Sequence, residues 1–368
     1  MHILDSLNRG GAEMLELDLC RNARANNLDL TFVATGGGDL EGDFRNSGVT
    51  FQRLQRRLPV DLRLARRISR IVKEREIDVV HTNQAVEALH AYLATRGSQV
   101  KRVMTFHLCT SDGRNKVALN LLAPRMDANV AVSHELLKCL GHEAGFKTSE
   151  RFHVVHNGVD ARRLEPTGAN LRAELGLNDG ALVLGMIGNF YPDARKDQLT
   201  VCRALPRVFA EVPTAHFLFI GGSFADAPQP LDECVEICRE LDISKRVHFL
   251  GKRSDIPDLL SSMDIYVQSS VNESLGIAVV EAMLSGLPVV VSDIGALLEV
   301  TGEGEYAATF RTGDAADLAG QLIKLCRNED RRRDLGQQGK GWATSHFSIE
   351  THIANLIKLY NQVLKSRS

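Results

Sequence analysis

Two glutamates eight positions apart carry the strongest chemical signature in this chain. They belong to the run Asn272-Glu273-Ser274-Leu275-Gly276-Ile277-Ala278-Val279-Val280-Glu281-Ala282-Met283, which leads into Gly286-Leu287-Pro288-Val289-Val290-Val291. The preceding stretch Asp264–Gln268 reads as a strand. Glu273 therefore falls in the loop at a strand's carboxyl end, the edge where open α/β sheets bind ligands. Gly276 opens a helix, and Glu281 comes about a turn and a half along it, on a side made otherwise apolar by Ile277, Ala278 and Leu284. A carboxylate there is costly unless it accepts hydrogen bonds, and the paired hydroxyls of a ribose are suitable donors. The competing plain reading is a surface-facing Glu281 and an ordinary loop Glu273.

A second candidate lies at the other end of the chain. The first strand is followed by Asn8-Arg9-Gly10-Gly11-Ala12-Glu13, two glycines ahead of a helix. Glycine lets backbone N–H groups approach a ligand, and a helix N-terminus favours anions. Neither Gly-x-Gly-x-x-Gly nor a Walker A pattern is present, so a merely structural turn stays open. His107, His81 and His156 all end strands, where a lone histidine is ordinarily structural.

The elements that must position these residues alternate throughout. Short apolar or β-branched runs are separated by helical stretches, the pattern of parallel sheets wound by βαβ units. The expected strands are His2–Asp5, Leu30–Ala34, Asp78–His81, Arg102–Phe106, Ala128–Val132 and His153–His156, then Leu182–Ile187, His216–Ile220, Val247–Leu250, Asp264–Gln268 and Pro288–Val291. Between the two series lies Asn157-Gly158-Val159-Asp160, followed by Pro166, Thr167 and Gly168, a turn-rich crossing suited to a domain boundary near 160. At 368 residues the chain suits two domains with a cleft between them. A last amphipathic stretch, Ser348–Leu364, is in position to return to the first domain.

Composition narrows the class. Hydrophobic residues make up 44% and charged residues 24%, as in globular α/β proteins, and no repeat or low-complexity segment is present. Apolar runs are strand-length, well short of the about 20 residues of a membrane span, and no secretory signal pattern is seen. A cytoplasmic location is expected. Seven cysteines show no Cys-x-x-Cys pair and no zinc spacing, and read as reduced thiols; Cys234 and Cys238 are four apart with no visible partner for a metal site. Charge is uneven: residues 1–160 hold 22 Lys/Arg against 19 Asp/Glu, the remainder 22 against 27. In residues 51–76 a basic amphipathic helix sets Arg63, Arg66, Arg67 and Arg70 opposite Leu64, Ile68, Ile71 and Val72. Such a face is either ordinarily solvated or a contact for anionic lipid. No nucleic-acid partner is expected.

Taken together, the sequence resembles the retaining glycosyltransferases of family 4, the group 1 glycosyltransferases with the GT-B fold. The resemblance runs through Gly10-Gly11-Ala12-Glu13, Thr105-Phe106-His107, Val132-Ser133, Asn157-Gly158-Val159-Asp160, Lys196, Phe249-Leu250-Gly251 and, most specifically, Glu273 to Glu281. It implies two facing Rossmann-like doubly wound domains: an acceptor-side domain over 1–160, a nucleotide-sugar domain over 161–347, and a C-terminal helix over 348–368. By residue, it implies that Gly10 and Gly11 face the donor diphosphate, His107 lies beside the transferred sugar, and Lys196 neutralises phosphate. Glu273 would contact sugar hydroxyls and Glu281 the ribose, with N–H groups of Leu275, Gly276 and Ile277 on the diphosphate oxygens.

The resemblance fails at one position. The family usually has arginine after the glycine ending the first strand of the second domain, whereas here the run is Gly188-Asn189-Phe190. Either Arg195, beside Lys196, substitutes, or turnover is weakened. No Asp-x-Asp triplet occurs, which fits a site needing no metal or other cofactor. The expected activity is transfer of a sugar from a nucleoside-diphosphate sugar to a glycan, lipid-linked or small-molecule acceptor, with specificity set in loops such as Thr110–Lys116. A nucleotide-sugar epimerase of similar architecture and a weakened sugar-nucleotide-binding protein are the alternatives.

Overall fold

A computed structural model describes residues 1–366 except 110–112, 143–144, 147–149, 179 and 225–226, and only the backbone of 113–115. The chain divides into two compact units, one formed by Met1–Val159 with Phe347–Ser368, the other by Asp160–His346.

The first unit is built on a parallel sheet of β1 (His2–Leu4), β2 (Thr31–Ala34), β3 (Thr50–Arg53), β4 (Val79–Thr82), β5 (Lys101–Phe106), β6 (Ala128–Ala131) and β7 (Phe152–Val154). Its order is β3-β2-β1-β4-β5-β6-β7. The chain winds outward from β1 in one direction and, from β4, in the other, so the order reverses between β1 and β4. The central strands are buried along their whole length, as a sheet covered by helices on both faces requires. On one face the helix Leu62–Glu74 buries Leu64, Ile68, Ile71 and Val72 against Ile3, Val33 and Val80. On the other, the C-terminal helix Ile349–Lys365 buries Ile349, Ile353, Leu356, Leu359 and Val363 with Leu15, Leu19 and Phe32.

The second unit repeats the plan with β8 (Leu182–Ile187), β9 (Ala215–Ile220), β10 (Val247–Phe249), β11 (Ile265–Gln268), β12 (Val289–Ser292) and β13 (Ala308–Phe310), in the order β10-β9-β8-β11-β12-β13. All its pairings are parallel and the reversal lies between β8 and β11. The helices Gln198–Glu211 and Ala315–Cys326 pack Val201, Leu205, Val208, Leu318 and Leu322 onto Phe217, Phe219 and Val290.

Two doubly wound Rossmann-like sheets are thus present, and the eleven strands expected from sequence occur to within two residues at either end. Sequence reading missed β3 and β13, both sheet-edge strands.

The cysteine expectation is corrected. Cys109 and Cys139 form a disulfide with Cα atoms 6.1 Å apart, while Cys20, Cys202, Cys234, Cys238 and Cys326 are free and buried. A disulfide needs its Cα atoms within roughly 7 Å, and packing of the segment after β5 beside the helix His134–His142 supplies that closeness across 30 residues of sequence. Among the described residues no helix is long and apolar enough to cross a membrane.

Candidate functional site

The richest polar constellation sits at the carboxyl edge of the second sheet, where the strand order reverses. Lys196 comes from the segment after β8, and its backbone forms an antiparallel bridge with Ser270, two residues beyond β11. Asp197 N–H donates to the Ser269 carbonyl at 2.9 Å and Val271 N–H to the Arg195 carbonyl at 3.0 Å, stitching the two segments together. This backbone register carries the Lys196 ammonium onto the Glu273 carboxylate, and the pair is largely buried.

Glu273 is held by more than Lys196. Ser270 Oγ donates to its Oε1 at 2.9 Å and Gln268 Nε2 at 3.1 Å. The Gln268 amide is itself oriented by the Tyr266 hydroxyl, which donates to Oε1 of Gln268 at 2.7 Å. Burial pushes the Tyr266 phenol well above its ordinary range, so it stays protonated and able to donate. A fully buried chain of side chains, Tyr266, Gln268 and Ser270, thereby fixes one carboxylate at the sheet's reversal point.

Gly276 follows, in the left-handed region at φ 98°, and precedes the helix Ile277–Leu284. A Cβ at this position would also press within 2.7 Å of Leu297 Cδ2, so the left-handed φ favours glycine and a side chain would in addition displace Leu297. The first intrahelical donors are Val279 and Val280, both onto the Gly276 carbonyl, which leaves the N–H groups of Gly276 and Ile277 at the open end of the helix. Leu275 is buried and anchors this turn. Glu281 lies farther along, with its Oε1 accepting from Arg163 Nη2 at 2.6 Å, both side chains mostly buried. Arg163 belongs to the short turn Ala161–Leu164 of the same unit.

The departure at Asn189 has a structural account. Gly221 has φ 153°, and a Cβ there would come within 2.2 Å of the Gly188 carbonyl oxygen. The ends of β8 and β9 therefore nearly touch, and Asn189 Oδ1 accepts the Gly222 N–H at 3.0 Å. Arg195 is turned onto Asp193, with Nε 3.0 and 2.9 Å from the two carboxylate oxygens, and stacks over Tyr191 at 4.8 Å.

In the first unit, Gly10 precedes the helix Gly11–Asn22, and Gly11 has open space around it. The Glu13 carboxylate folds back toward this turn, so that a Cβ at Gly10 would come within 2.6 Å of Glu13 Oε2. Burial, with the nearby Asp39 charge, raises the Glu13 pKa. His107 follows β5 and is hydrogen-bonded through Nε2 to Asn83 Oδ1 at 2.8 Å. Burial lowers its pKa to about 4, so the ring is neutral near pH 7. Of the expected specificity segment Thr110–Lys116, residues 110–112 and the side chains of 113–115 lie outside the described residues.

Residues 9–163 match the family described as Glycosyltransferase Family 4, and residues 181–328 match Glycosyl transferases group 1. The chain is a group 1, family 4 glycosyltransferase. Its relatives include N-acetyl-alpha-D-glucosaminyl L-malate synthase of Bacillus anthracis, 28% identical over 83% of this chain and 80% of that one. D-inositol 3-phosphate glycosyltransferase of Nocardia farcinica is 30% identical over 66% of this chain and 53% of its own length. Among solved structures, that of Anabaena HepE in complex with UDP and glucose superposes with a TM-score of 0.81 at 22% identity, covering 98% of each chain. A glycosyltransferase from Rickettsia africae gives 0.83 at 19% identity, covering 100% of this chain and 99% of that one. At these identities the structural likeness shows the shared GT-B fold.

Within this glycosyltransferase, the structure brings Lys196, Glu273, Leu275, Gly276 and Ile277 to one sheet edge. It pairs Glu281 with Arg163, leaves Arg195 engaged with Asp193, and holds His107 on Asn83. Sequence reasoning missed Arg163, Gln268, Ser270 and Asn83. Of these only Gln268 and Ser270 carried a local signal, being polar residues at and just beyond the end of an otherwise apolar strand.

Proposed function

We propose that this glycosyltransferase takes a uridine-diphosphate sugar as donor and transfers the sugar with retention of configuration to a glycan or lipid-linked acceptor. The observation that carries this reading is the Lys196–Glu273 pair at the reversal point of the second sheet, beside the open N-terminus of the helix Ile277–Leu284. Without donor the two charges satisfy each other. With donor, Lys196 and the N–H groups of Leu275, Gly276 and Ile277 stabilise the diphosphate, whose negative charge grows as the glycosidic bond breaks. Glu273 accepts hydroxyls of the sugar, which gains positive charge at its anomeric carbon. Glu281, oriented by Arg163, accepts ribose hydroxyls.

His107 is proposed to touch the transferred sugar, and Gly10 and Gly11 the diphosphate. Because Asn189 is engaged with Gly222 and Arg195 with Asp193, Lys196 is the principal cation for the leaving group. Among the described residues no side chain is placed as an obvious covalent nucleophile, and the proposed course is attack on the face the diphosphate leaves. A uridine donor is supported by the Anabaena relative solved with UDP-glucose. Thermal melts with UDP-glucose and UDP-N-acetylglucosamine test it, since a ligand confined to the folded state raises its stability in proportion to log concentration above Kd. No stabilisation by either, nor by UDP, would remove the donor assignment. Conversion of one free nucleotide sugar into its epimer without acceptor would replace transferase chemistry with epimerase chemistry.

Metal-independent turnover is part of the proposal, supported by the sequence's lack of an Asp-x-Asp triplet and by the cationic and N–H groups named above. Sugar transfer is expected to survive excess EDTA unchanged; loss restored by magnesium or manganese would overturn it.

A cytoplasmic location with peripheral lipid contact is also proposed. Arg63, Arg66, Arg67 and Arg70 are all exposed on the helix Leu62–Glu74. Just before them Leu58, Val60 and Leu62 are 60%, 53% and 57% exposed. Exposed apolar side chains next in sequence to an arginine-rich helix face suit the interface of an anionic bilayer. Co-sedimentation at low salt is expected to be stronger with vesicles of phosphatidylglycerol than of phosphatidylcholine, and to fall in Leu58→Ser/Leu62→Ser. Equal sedimentation with the two lipids would remove the membrane contact.

A further inference from the structure

Behind His107 runs a continuous chain of hydrogen bonds through the interior of the first unit. His107 Nε2 meets Asn83 Oδ1 at 2.8 Å, and Asn83 Nδ2 donates to Glu16 Oε1 at 2.8 Å. Glu16 Oε2 is 2.9 Å from His2 Nδ1, and His2 Nε2 is 2.8 Å from the Tyr360 hydroxyl. The same hydroxyl meets His81 Nδ1 at 2.5 Å, and His81 Nε2 meets Thr105 Oγ1 at 2.6 Å, two residues before His107. The members come from β1, β4, β5, the helix Gly11–Asn22 and the C-terminal helix, and His2, Glu16, His81, Asn83, Thr105 and Tyr360 are all buried.

The polarity of this chain has only one consistent setting at the His107 end. Burial pushes the Glu16 carboxyl up, but His2, by charge and hydrogen bond, and the Asn83 amide more than offset it and hold its pKa below the ordinary carboxylate value. Glu16 is therefore an anion and can only accept, so the Asn83 amide must turn its NH2 to Glu16 and its carbonyl to His107. A carbonyl can only accept, so His107 Nε2 must carry the proton. The neutral ring then has one acceptor left, Nδ1.

We infer that Asn83 and Glu16 are positioning residues that lock His107 as the Nε2–H tautomer, so that Nδ1 accepts a hydrogen bond from a hydroxyl of the transferred sugar. The inference rests on the reading of His107 as a sugar contact. The lock is remote from the substrate and reverses if the polarity of the chain is reversed. It also explains a buried carboxylate in the middle of the helix Gly11–Asn22: an uncharged partner could present either a donor or an acceptor to Asn83, and the tautomer would no longer be set.

The direct test uses the wild-type protein. Long-range ¹H–¹⁵N correlation spectra, with His107 assigned from the peak lost in His107→Phe, are expected to show a protonated Nε2 and an unprotonated Nδ1. A protonated Nδ1 overturns the inference irrespective of activity.

The second arm is Glu16→Gln/Asn83→Asp, which moves one negative charge from position 16 to position 83. The amide introduced at position 16 still accepts from His2 and donates to position 83, so the hydrogen bonds and the net charge are kept. The carboxylate now touches His107 directly, and an opposite charge at that range raises a histidine pKa by about 1–3 units from its present value of about 4. The other titratable groups around this chain are His2, His81, His352 and Tyr360; His2, His352 and Tyr360 also feel the charge at position 16, so the histidines are titrated in the same spectra and only the His107 midpoint is compared with turnover. With UDP-glucose as probe, UDP release by the double variant is expected to fall as pH drops through the His107 midpoint that its NMR titration reports. Because the protonated ring has lost its acceptor, the loss is about tenfold one pH unit below that midpoint. Wild type, whose His107 midpoint lies at about 4, loses turnover only at lower pH than the double variant. A folded double variant whose turnover ignores that midpoint overturns the positioning role. His107→Ala with unchanged turnover would instead refute the sugar contact itself, leaving the tautomer result to judge the lock.

Discussion

Glu273→Gln is expected to lower kcat about ten- to a hundredfold while leaving the donor KM nearly unchanged. The substitution keeps shape and retains an acceptor for Ser270 Oγ and Gln268 Nε2, so it removes chiefly the charge. In the proposed mechanism that charge matters most once the diphosphate has begun to leave and the sugar has become cationic, and an interaction stronger in the transition state than in the ground state appears in kcat. One hydrogen bond to a charged group contributes about 1.5–3 kcal/mol, which sets the expected range. Lys196→Ala should show a comparable loss, but it also leaves Glu273, 12% exposed, on Gln268 and Ser270 without the ammonium it pairs with. Breaking a mostly buried pair from one side costs stability, so Lys196→Ala should melt lower than Glu273→Gln. Steady-state kinetics at saturating acceptor, read beside thermal melts, decide the matter. A Glu273→Gln effect confined to KM would show that Glu273 binds donor and transition state alike.

The parts of this molecule legible in its sequence are those that burial dictates locally. Interior strands such as Leu182–Ile187 and Ile265–Gln268 are covered on both faces and so are apolar along most of their length, which makes them visible as runs. Thr50–Arg53 and Ala308–Phe310 escaped because edge strands have no such obligation: the first is half-exposed and mixes Thr, Gln and Arg with one Phe, and the second has only three residues. The same logic divides the site. Glu273 and Glu281 were legible because a loop glutamate at a strand end and a glutamate on an apolar helix side are each costly without a partner. Their pairings were not: Lys196, named only through the family resemblance, lies 77 residues from Glu273, and Arg163 lies 118 residues from Glu281. The Asn83–Glu16 link spans 67 residues, and Glu16 looks in sequence like any helical glutamate. The Cys109–Cys139 bond was hidden for the same reason: spacing alone does not report that two segments fold side by side.

Glu281 is expected to behave oppositely to Glu273. Ribose hardly changes in charge between bound donor and transition state, so a contact to it stabilises both equally, and its loss raises KM without lowering kcat. The Arg163 pairing alters which variants reveal this. In Glu281→Ala the Arg163 guanidinium, 17% exposed, loses the carboxylate that its Nη2 meets. Such one-sided breaks cost up to about 3–5 kcal/mol when fully buried and less at this exposure. At about 2–4 °C per kcal/mol for a domain of roughly 150–250 residues, the class of the unit Asp160–His346, the melting temperature of that unit should fall by several degrees, and part of any activity loss would be unfolding. Glu281→Gln keeps an acceptor for Arg163 and for one ribose hydroxyl, and its melt should lie nearer wild type. The informative comparison is therefore between the two variants well below both melting temperatures. Donor KM is expected to rise about tenfold or more in Glu281→Ala and less in Glu281→Gln, with kcat within about twofold of wild type in both. Arg163→Ala should raise KM as well, since on the proposed reading Arg163 orients the carboxylate toward the ribose, and the double variant Arg163→Ala/Glu281→Ala should be no worse than Glu281→Ala alone, because both act through one contact. If kcat falls in Glu281→Ala as it does in Glu273→Gln, or if the Arg163 and Glu281 effects simply add, then Glu281 is not the ribose acceptor and its partnership with Arg163 serves the fold alone.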